Sequence, residues 1–151
     1  MKIMVINGPN LNFLGIREKN IYGSKSFQEI ESYIRKTAIS LGHEIEMYQS
    51  NIEGEIINFI QKAYYNKYEG IIINPGAFTH YSYAIYDAIK SVDIDTVEVH
   101  LSQIYNREEF RQKSVTAPAC IGQICGFGEY GYIMAINALE NKNKNSMENI
   151  L

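Results

Sequence analysis

Two kinds of apolar pattern take turns along the chain. Short runs of consecutive apolar residues, such as Met4-Val5-Ile6 and Ile71-Ile72-Ile73, are each followed by a longer stretch with apolar residues at helical spacing. Residues 2–7, 43–48, 70–74, 96–100 and 119–124 predict strands; 26–41, 53–65, 79–91, a short 107–114 and 130–140 predict helices. The first helix has the clearest stripe, with Phe27, Ile30, Ile34, Ala38 and Leu41 on one face. Ser26 with Glu29 predicts a capping box at its start, and Gly42 a left-handed stop. Asn106 with Glu109 predicts a similar start for the short fourth helix, and Thr79 a cap for the third.

Strict alternation of strand and helix implies parallel strands joined by right-handed crossovers, with helices on both faces. Strands covered on both faces have no solvent-facing row, so their apolar runs are continuous. Five of them predict a flavodoxin-like three-layer α/β sandwich with strand order 2-1-3-4-5. No repeat or linker breaks the pattern, so residues 1–151 are expected to form one domain, with the polar stretch 141–151 fraying. A domain of this size buries about two thirds of the surface its unfolded chain exposes.

Composition narrows the function classes. A hydrophobic fraction of 46% excludes a chain disordered throughout. The net charge of −3 is spread over interspersed signs without a Lys/Arg block, which argues against nucleic acid as partner. The N-terminal apolar run is too short for a signal peptide, and nothing elsewhere approaches a membrane span. Cys120 and Cys125 fall on one predicted strand at an odd spacing, so they point to opposite faces and do not bridge. Two buried, reduced thiols fit a cytoplasmic protein. His43, His80 and His100 are scattered, so no metal is predicted.

In open parallel sheets, ligands bind beyond the carboxyl ends of the strands. There the chain places Asn7-Gly8-Pro9-Asn10, Asn74-Pro75-Gly76 and His100-Leu101-Ser102. Each could be an ordinary turn; together they gather amides, a hydroxyl and an imidazole at one edge. The connection after the first strand exceeds fifteen residues, against about two to six for a usual βα loop. It carries Arg17 and Tyr22 between Gly15 and Gly23, as a lid with hinges would.

These blocks resemble the type II 3-dehydroquinate dehydratases. The resemblance rests on Asn7-Gly8-Pro9-Asn10-Leu11-Asn12, Gly15-x-Arg17, Tyr22-Gly23 and Gln49-Ser50-Asn51-x-Glu53-Gly54-Glu55. It continues through Asn74-Pro75-Gly76-Ala77-Phe78-Thr79-His80 and Glu98-Val99-His100-Leu101-Ser102 to Arg107-Glu108-Glu109-Phe110-Arg111, and the order and spacing are the family's over residues 2 to about 140. It implies dehydration of 3-dehydroquinate to 3-dehydroshikimate in the shikimate pathway, by anti elimination through an enolate. No cofactor is implied and, unlike the unrelated type I enzymes, no lysine Schiff base. Trimers assembled into a dodecamer are implied as well.

Residue by residue, Tyr22 matches the family's base, which acts as tyrosinate. A free tyrosine, with a pKa of ~10, is ionised to roughly one part in a thousand at pH 7. A cation within ~4–6 Å favours the charged form, and Arg17 matches the family's essential arginine. Asn10 matches the donor to the enolate oxygen, through a bound water. His100 matches the general acid. Glu98 lies two residues back on the same strand face, placed to hold the imidazole and favour its protonated form. The Leu101 N–H and Ser102 match the carboxylate site; Asn74, His80, Asp87 and Arg111 match contacts to ring hydroxyls and carboxylate. Asp87 and Arg111 could alternatively form a surface ion pair.

Two other readings keep the fold. A flavodoxin-like module binding FMN or a nucleotide wants a glycine- or hydroxyl-rich phosphate loop after the first strand. Pro9, Leu11, Phe13 and Leu14 stand there instead. A phosphorylated receiver domain wants an acidic cluster at the end of that strand, which ends in Asn7. A catalytically dead relative would lack part of the Tyr22, Arg17 and His100 set.

Overall fold

Alternation along each strand splits its apolar run between two cores. In β1 (Lys2–Asn7), Ile3 and Val5 join one cluster, while Met4 and Ile6 join the other. The same holds in β3 (Gly70–Asn74), where Ile72 faces one way and Ile71 and Ile73 the other, all three with no exposed surface. Burying each such side chain contributes ~1.5–3 kcal/mol. The first core is closed by α1 (Phe27–Ser40) and α4 (Tyr130–Glu148), the second by α2 (Glu53–Tyr65) and α3 (Tyr83–Ser91). With β2 (Glu44–Gln49), β4 (Thr96–His100) and β5 (Gly122–Cys125), the sheet is entirely parallel in the order β2-β1-β3-β4-β5, as predicted. This computed structural model describes residues 1–16 and 25–148; Arg17 and Tyr22 lie outside the described residues. Among those described, no helix is long and apolar enough to cross a membrane.

The predicted capping box is present: the Glu29 N–H donates to Ser26 Oγ and the Ser26 N–H to the Glu29 carboxylate. Gly42, at φ 81°, ends α1 with paired bonds from the Gly42 N–H to the Ile39 carbonyl (2.9 Å) and from the His43 N–H to the Ala38 carbonyl (3.0 Å). That closure engages the His43 backbone, so β2 starts at Glu44 rather than 43.

Several boundaries differ from the sequence reading. Thr79 does not cap a helix; it sits in a 3-10 turn, Gly76–His80, with its hydroxyl drawn to Glu98. Ser82 caps α3 instead, its Oγ accepting from the Ile85 N–H at 3.0 Å. The short helix expected at 107–114 is replaced by a 3-10 turn, Glu109–Arg111, with another, Ile104–Asn106, just before it, so Asn106 with Glu109 caps nothing. That segment has no apolar stripe to bury: Ile104 is buried, but Phe110 is 65% exposed. β5 is shorter than 119–124 because Pro118, which lacks an N–H, lies in a further 3-10 turn, Ala117–Ala119. Cys120 therefore precedes the strand, and both free thiols are half-buried rather than buried. The stretch expected to fray carries α4 on to Glu148, with Lys144 bonded to Glu140 one turn back at 2.7 Å.

Candidate active site

The register sets the polar strand ends side by side. Asn7 pairs with Gln49 on one side and Asn74 on the other, and His100 pairs with Cys125. The turns after β1 and β3 then touch. The Gly8 N–H donates to the Asn74 carbonyl at 2.7 Å, and a Cβ on Gly8 would sit 2.3 Å from the Pro75 carbonyl oxygen, so only glycine fits. Asn10 follows at φ 66°, a left-handed conformation that asparagine tolerates better than most residues. Its backbone N–H donates to Asn51 Oδ1 at 2.9 Å, which also accepts from Gln49 Nε2 at 3.1 Å.

Beyond these turns lies a cavity of about 150 Å³. It is lined by Pro9, Asn10, Leu11, Leu14, Asn74, Gly76, Ala77, His80, His100, Leu101, Ser102, Ile104, Arg107 and Arg111. Asn10, Asn74, His80, His100, Leu101, Ser102 and Arg111 were all read from the sequence as site residues, and the fold brings them together. Asp87 is not among them; it is exposed on α3 and does not line the cavity. Nor does Asp87 pair with Arg111: the carboxylate beside Arg111 Nε is Glu108, at 3.1 Å.

His100 is anchored at the cavity by a buried carboxylate. Its Nε2 meets Glu98 Oε1 at 2.7 Å, which leaves Nδ1 uncommitted to that carboxylate. Glu98 has no exposed surface, and burial alone would push its carboxyl up. Hydrogen bonds from His100, Thr116 and Thr79, with the attraction of the imidazole, outweigh burial and hold it well below the usual carboxylate range. Ser114 Oγ and Gln123 Nε2 add donors at 2.9 Å each. His80 donates from Nδ1 to the Lys113 carbonyl at 2.7 Å, fixing its tautomer with Nε2 as the remaining acceptor when neutral.

Asn74 is oriented from behind. The Gly76 N–H donates to its Oδ1 at 3.2 Å, and its Nδ2 donates to Tyr132 Oη at 3.1 Å. Tyr132, fully buried and with its phenol pushed up by that burial, donates in turn to Asn7 Oδ1 at 2.6 Å. With its oxygen and one N–H engaged, Asn74 keeps its second N–H for a ligand acceptor. Arg107 and Arg111 line the same cavity, and no carboxylate does so among the described residues. The local charge therefore favours an anion although the whole chain is acidic. Among the described residues, no group of three His, Cys, Asp or Glu side chains is placed to hold a metal ion.

The sequence reading missed Thr79, Ser114, Thr116 and Gln123 around Glu98, together with Arg107 and the Tyr132–Asn7 support. One signal was available: a carboxylate inside a five-residue buried strand must be matched by donors from elsewhere. Which donors could not be read from spacing, because they come from three other segments.

Residues 1–140 match the family described as dehydroquinase class II. A 3-dehydroquinate dehydratase of Clostridium perfringens is 73% identical over 144 residues, covering 95% of this chain and 100% of that one. The crystal structure of a type II dehydroquinase from Butyrivibrio crossotus superposes with a TM-score of 0.92 at 60% identity, covering 93% of this chain and 97% of that one. One from Propionibacterium acnes gives 0.88 at 37% identity, with 91% and 94% covered.

Proposed function

The chain belongs to the type II dehydroquinase family, and on that premise we propose that it dehydrates 3-dehydroquinate to 3-dehydroshikimate with Tyr22 as tyrosinate base and His100 as general acid. The reaction is a step of the shikimate pathway and runs as an anti elimination. The base removes a proton from the carbon α to the ketone, and that C–H pair becomes the enolate double bond. Collapse of the enolate forms the ring C=C and expels the β-hydroxyl, which leaves as water with a proton from His100.

The observation that carries this reading is the Glu98–His100 pair at the edge of a cationic cavity. A carboxylate on Nε2 orients the imidazole and leaves Nδ1 as the nitrogen from which a proton would pass to a departing hydroxyl. Asn10, which lines the cavity, takes the role of steadying the enolate oxygen through a water, an assignment that rests on the family resemblance. Leu101, Ser102, Asn74 and Arg111 supply donors for the substrate carboxylate and hydroxyls, with His80 beside them. Arg17 lowers the Tyr22 pKa, a role that rests on the family resemblance. The enzyme works in the cytoplasm as a homo-oligomer of trimers assembled into a dodecamer.

The test is direct. The EDTA-treated protein is mixed with 3-dehydroquinate and the ultraviolet absorbance of the conjugated enone is followed. Rapid appearance of product is expected, and its loss in Tyr22→Phe with ligand binding retained. More than a few per cent residual activity in that variant, against the ~10²–10⁴-fold worth of acid–base catalysis, removes Tyr22 as the base.

A further inference from the structure

Glu98 is held by more donors than a carboxylate can accept at once. Oε1 lies 2.7 Å from His100 Nε2, 2.8 Å from Thr79 Oγ1, 2.9 Å from Ser114 Oγ and 2.9 Å from Gln123 Nε2, while Oε2 accepts from Thr116 Oγ1. One oxygen has two lone pairs, so four donors on Oε1 must share. Three of the five groups are hydroxyls, and they also touch one another. Thr79 Oγ1 is 2.8 Å from Ser114 Oγ and 2.9 Å from Thr116 Oγ1. Ser114 Oγ already accepts from the Ala117 N–H at 2.9 Å. Three hydroxyl protons serve at least five contacts, so each proton spent between hydroxyls is one withdrawn from Glu98.

The geometry points to Thr79, Ser114 and Thr116 as positioning residues: by dividing three protons between Glu98 and themselves, they set how much carboxylate charge is left to face His100. The inference rests on the reading of His100 as general acid. A bare carboxylate on Nε2 would stabilise the imidazolium too strongly for Nδ1 to give up its proton; one saturated by neutral donors would give the imidazole little support. The hydroxyls also join the walls of the cavity. Thr79 belongs to the turn carrying His80, while Ser114 and Thr116 follow the segment carrying Arg107 and Arg111, and the Val115 N–H closes onto the Thr79 carbonyl at 2.7 Å. Among the described residues, the other ionisable groups near the pair are Cys120 and Cys125, whose thiols burial holds neutral, and His80, Arg107 and Arg111 at the cavity.

Thr79→Val keeps the shape and removes one proton; Thr79→Ser keeps the proton. Losing a donor leaves more charge on Glu98 for the imidazolium, so the alkaline limb of the kcat–pH profile moves to higher pH. A shift of about one pH unit is expected, a tenfold change in the equilibrium equal to about 1.4 kcal/mol. Thr79→Ser should restore the wild-type limb. If Thr79→Val does not fold, Ser114→Ala carries the same expectation. His100→Gln separates the two claims. An active His100→Gln enzyme overturns the acid assignment and this inference with it. An inactive one, with unmoved limbs in folded Thr79→Val or Ser114→Ala, overturns this inference alone.

Discussion

Replacing Glu98 by Gln isolates what the buried charge contributes. The amide keeps the size of the side chain and one acceptor oxygen, but turns the other acceptor into a donor and removes the charge. Five donors surround the group. A hydrogen bond to a charged partner is worth ~1.5–3 kcal/mol net, against ~0.5–1.5 for a neutral one. Two or three strong bonds on the carboxylate therefore lose charge assistance worth about 1 kcal/mol each, so the variant should unfold about 3 kcal/mol more easily at pH 7. That falls at the lower edge of the ~3–5 kcal/mol seen when one partner of a buried ion pair is removed. The pH dependence follows from the direction of the shift. Glu98 is ionised more readily in the fold than in the open chain, so below its unfolded value of ~4.3 the open chain takes up the proton first. Its stabilisation is fully present above that value and is lost as the pH falls through its lower folded value. Urea unfolding of both proteins at one protein concentration, from pH ~7 to ~3, should show a gap that narrows only below pH ~5. A gap under about 1 kcal/mol at neutral pH, or one that stays constant to pH ~3, would refute the reasoning.

Three further outcomes can be measured independently. Tyr132→Phe removes the acceptor for Asn74 Nδ2 and the donor to Asn7 Oδ1, so stability should fall by ~1–3 kcal/mol and KM should rise more than kcat falls; an unchanged KM would detach Tyr132 from the site. Gly8→Ala forces a Cβ within 2.3 Å of the Pro75 carbonyl and separates the two turns, so kcat/KM should drop ~100-fold or more; steady-state kinetics near wild type would show that the turns can part harmlessly. His43 is held neutral first by burial and then by the N-terminal ammonium 3.3 Å away. The unfolded chain thus binds the His43 proton first, and stability present above ~6.5 is lost as pH falls through that value. His43→Gln should flatten the loss between pH ~7 and ~5 in urea titrations, and an unchanged slope would exclude His43 as its source.

How far the sequence could be read depended on whether a feature was local. The capping box at Ser26 and the stop at Gly42 were legible because their partners lie within a few residues. A cap at Thr79 was misread because a hydroxyl followed by a helical pattern has a local use, and nothing nearby reveals the distant carboxylate that claims it. The 107–114 segment misled for the same reason: its Asn106 and Glu109 fit a capping pattern, yet without an apolar stripe no helix gains by packing there.

Alternating strand and helix periods by themselves determined the parallel sheet, its strand order and the edge at which polar strand ends gather. Such order follows from handedness and from the need to bury both faces of each strand. Sequence blocks were also enough to mark Asn10, Asn74, His80, His100, Leu101, Ser102 and Arg111, which the fold places around one cavity. Tertiary structure alone decided that Asp87 is left out of the lining of that cavity and that Arg107 joins it. It also decided that Glu98 draws its donors from the turn after β3, the segment before β5, and β5 itself. A buried charge takes whichever donors packing brings within 3 Å or so, and sequence separation sets no limit on how far along the chain they begin.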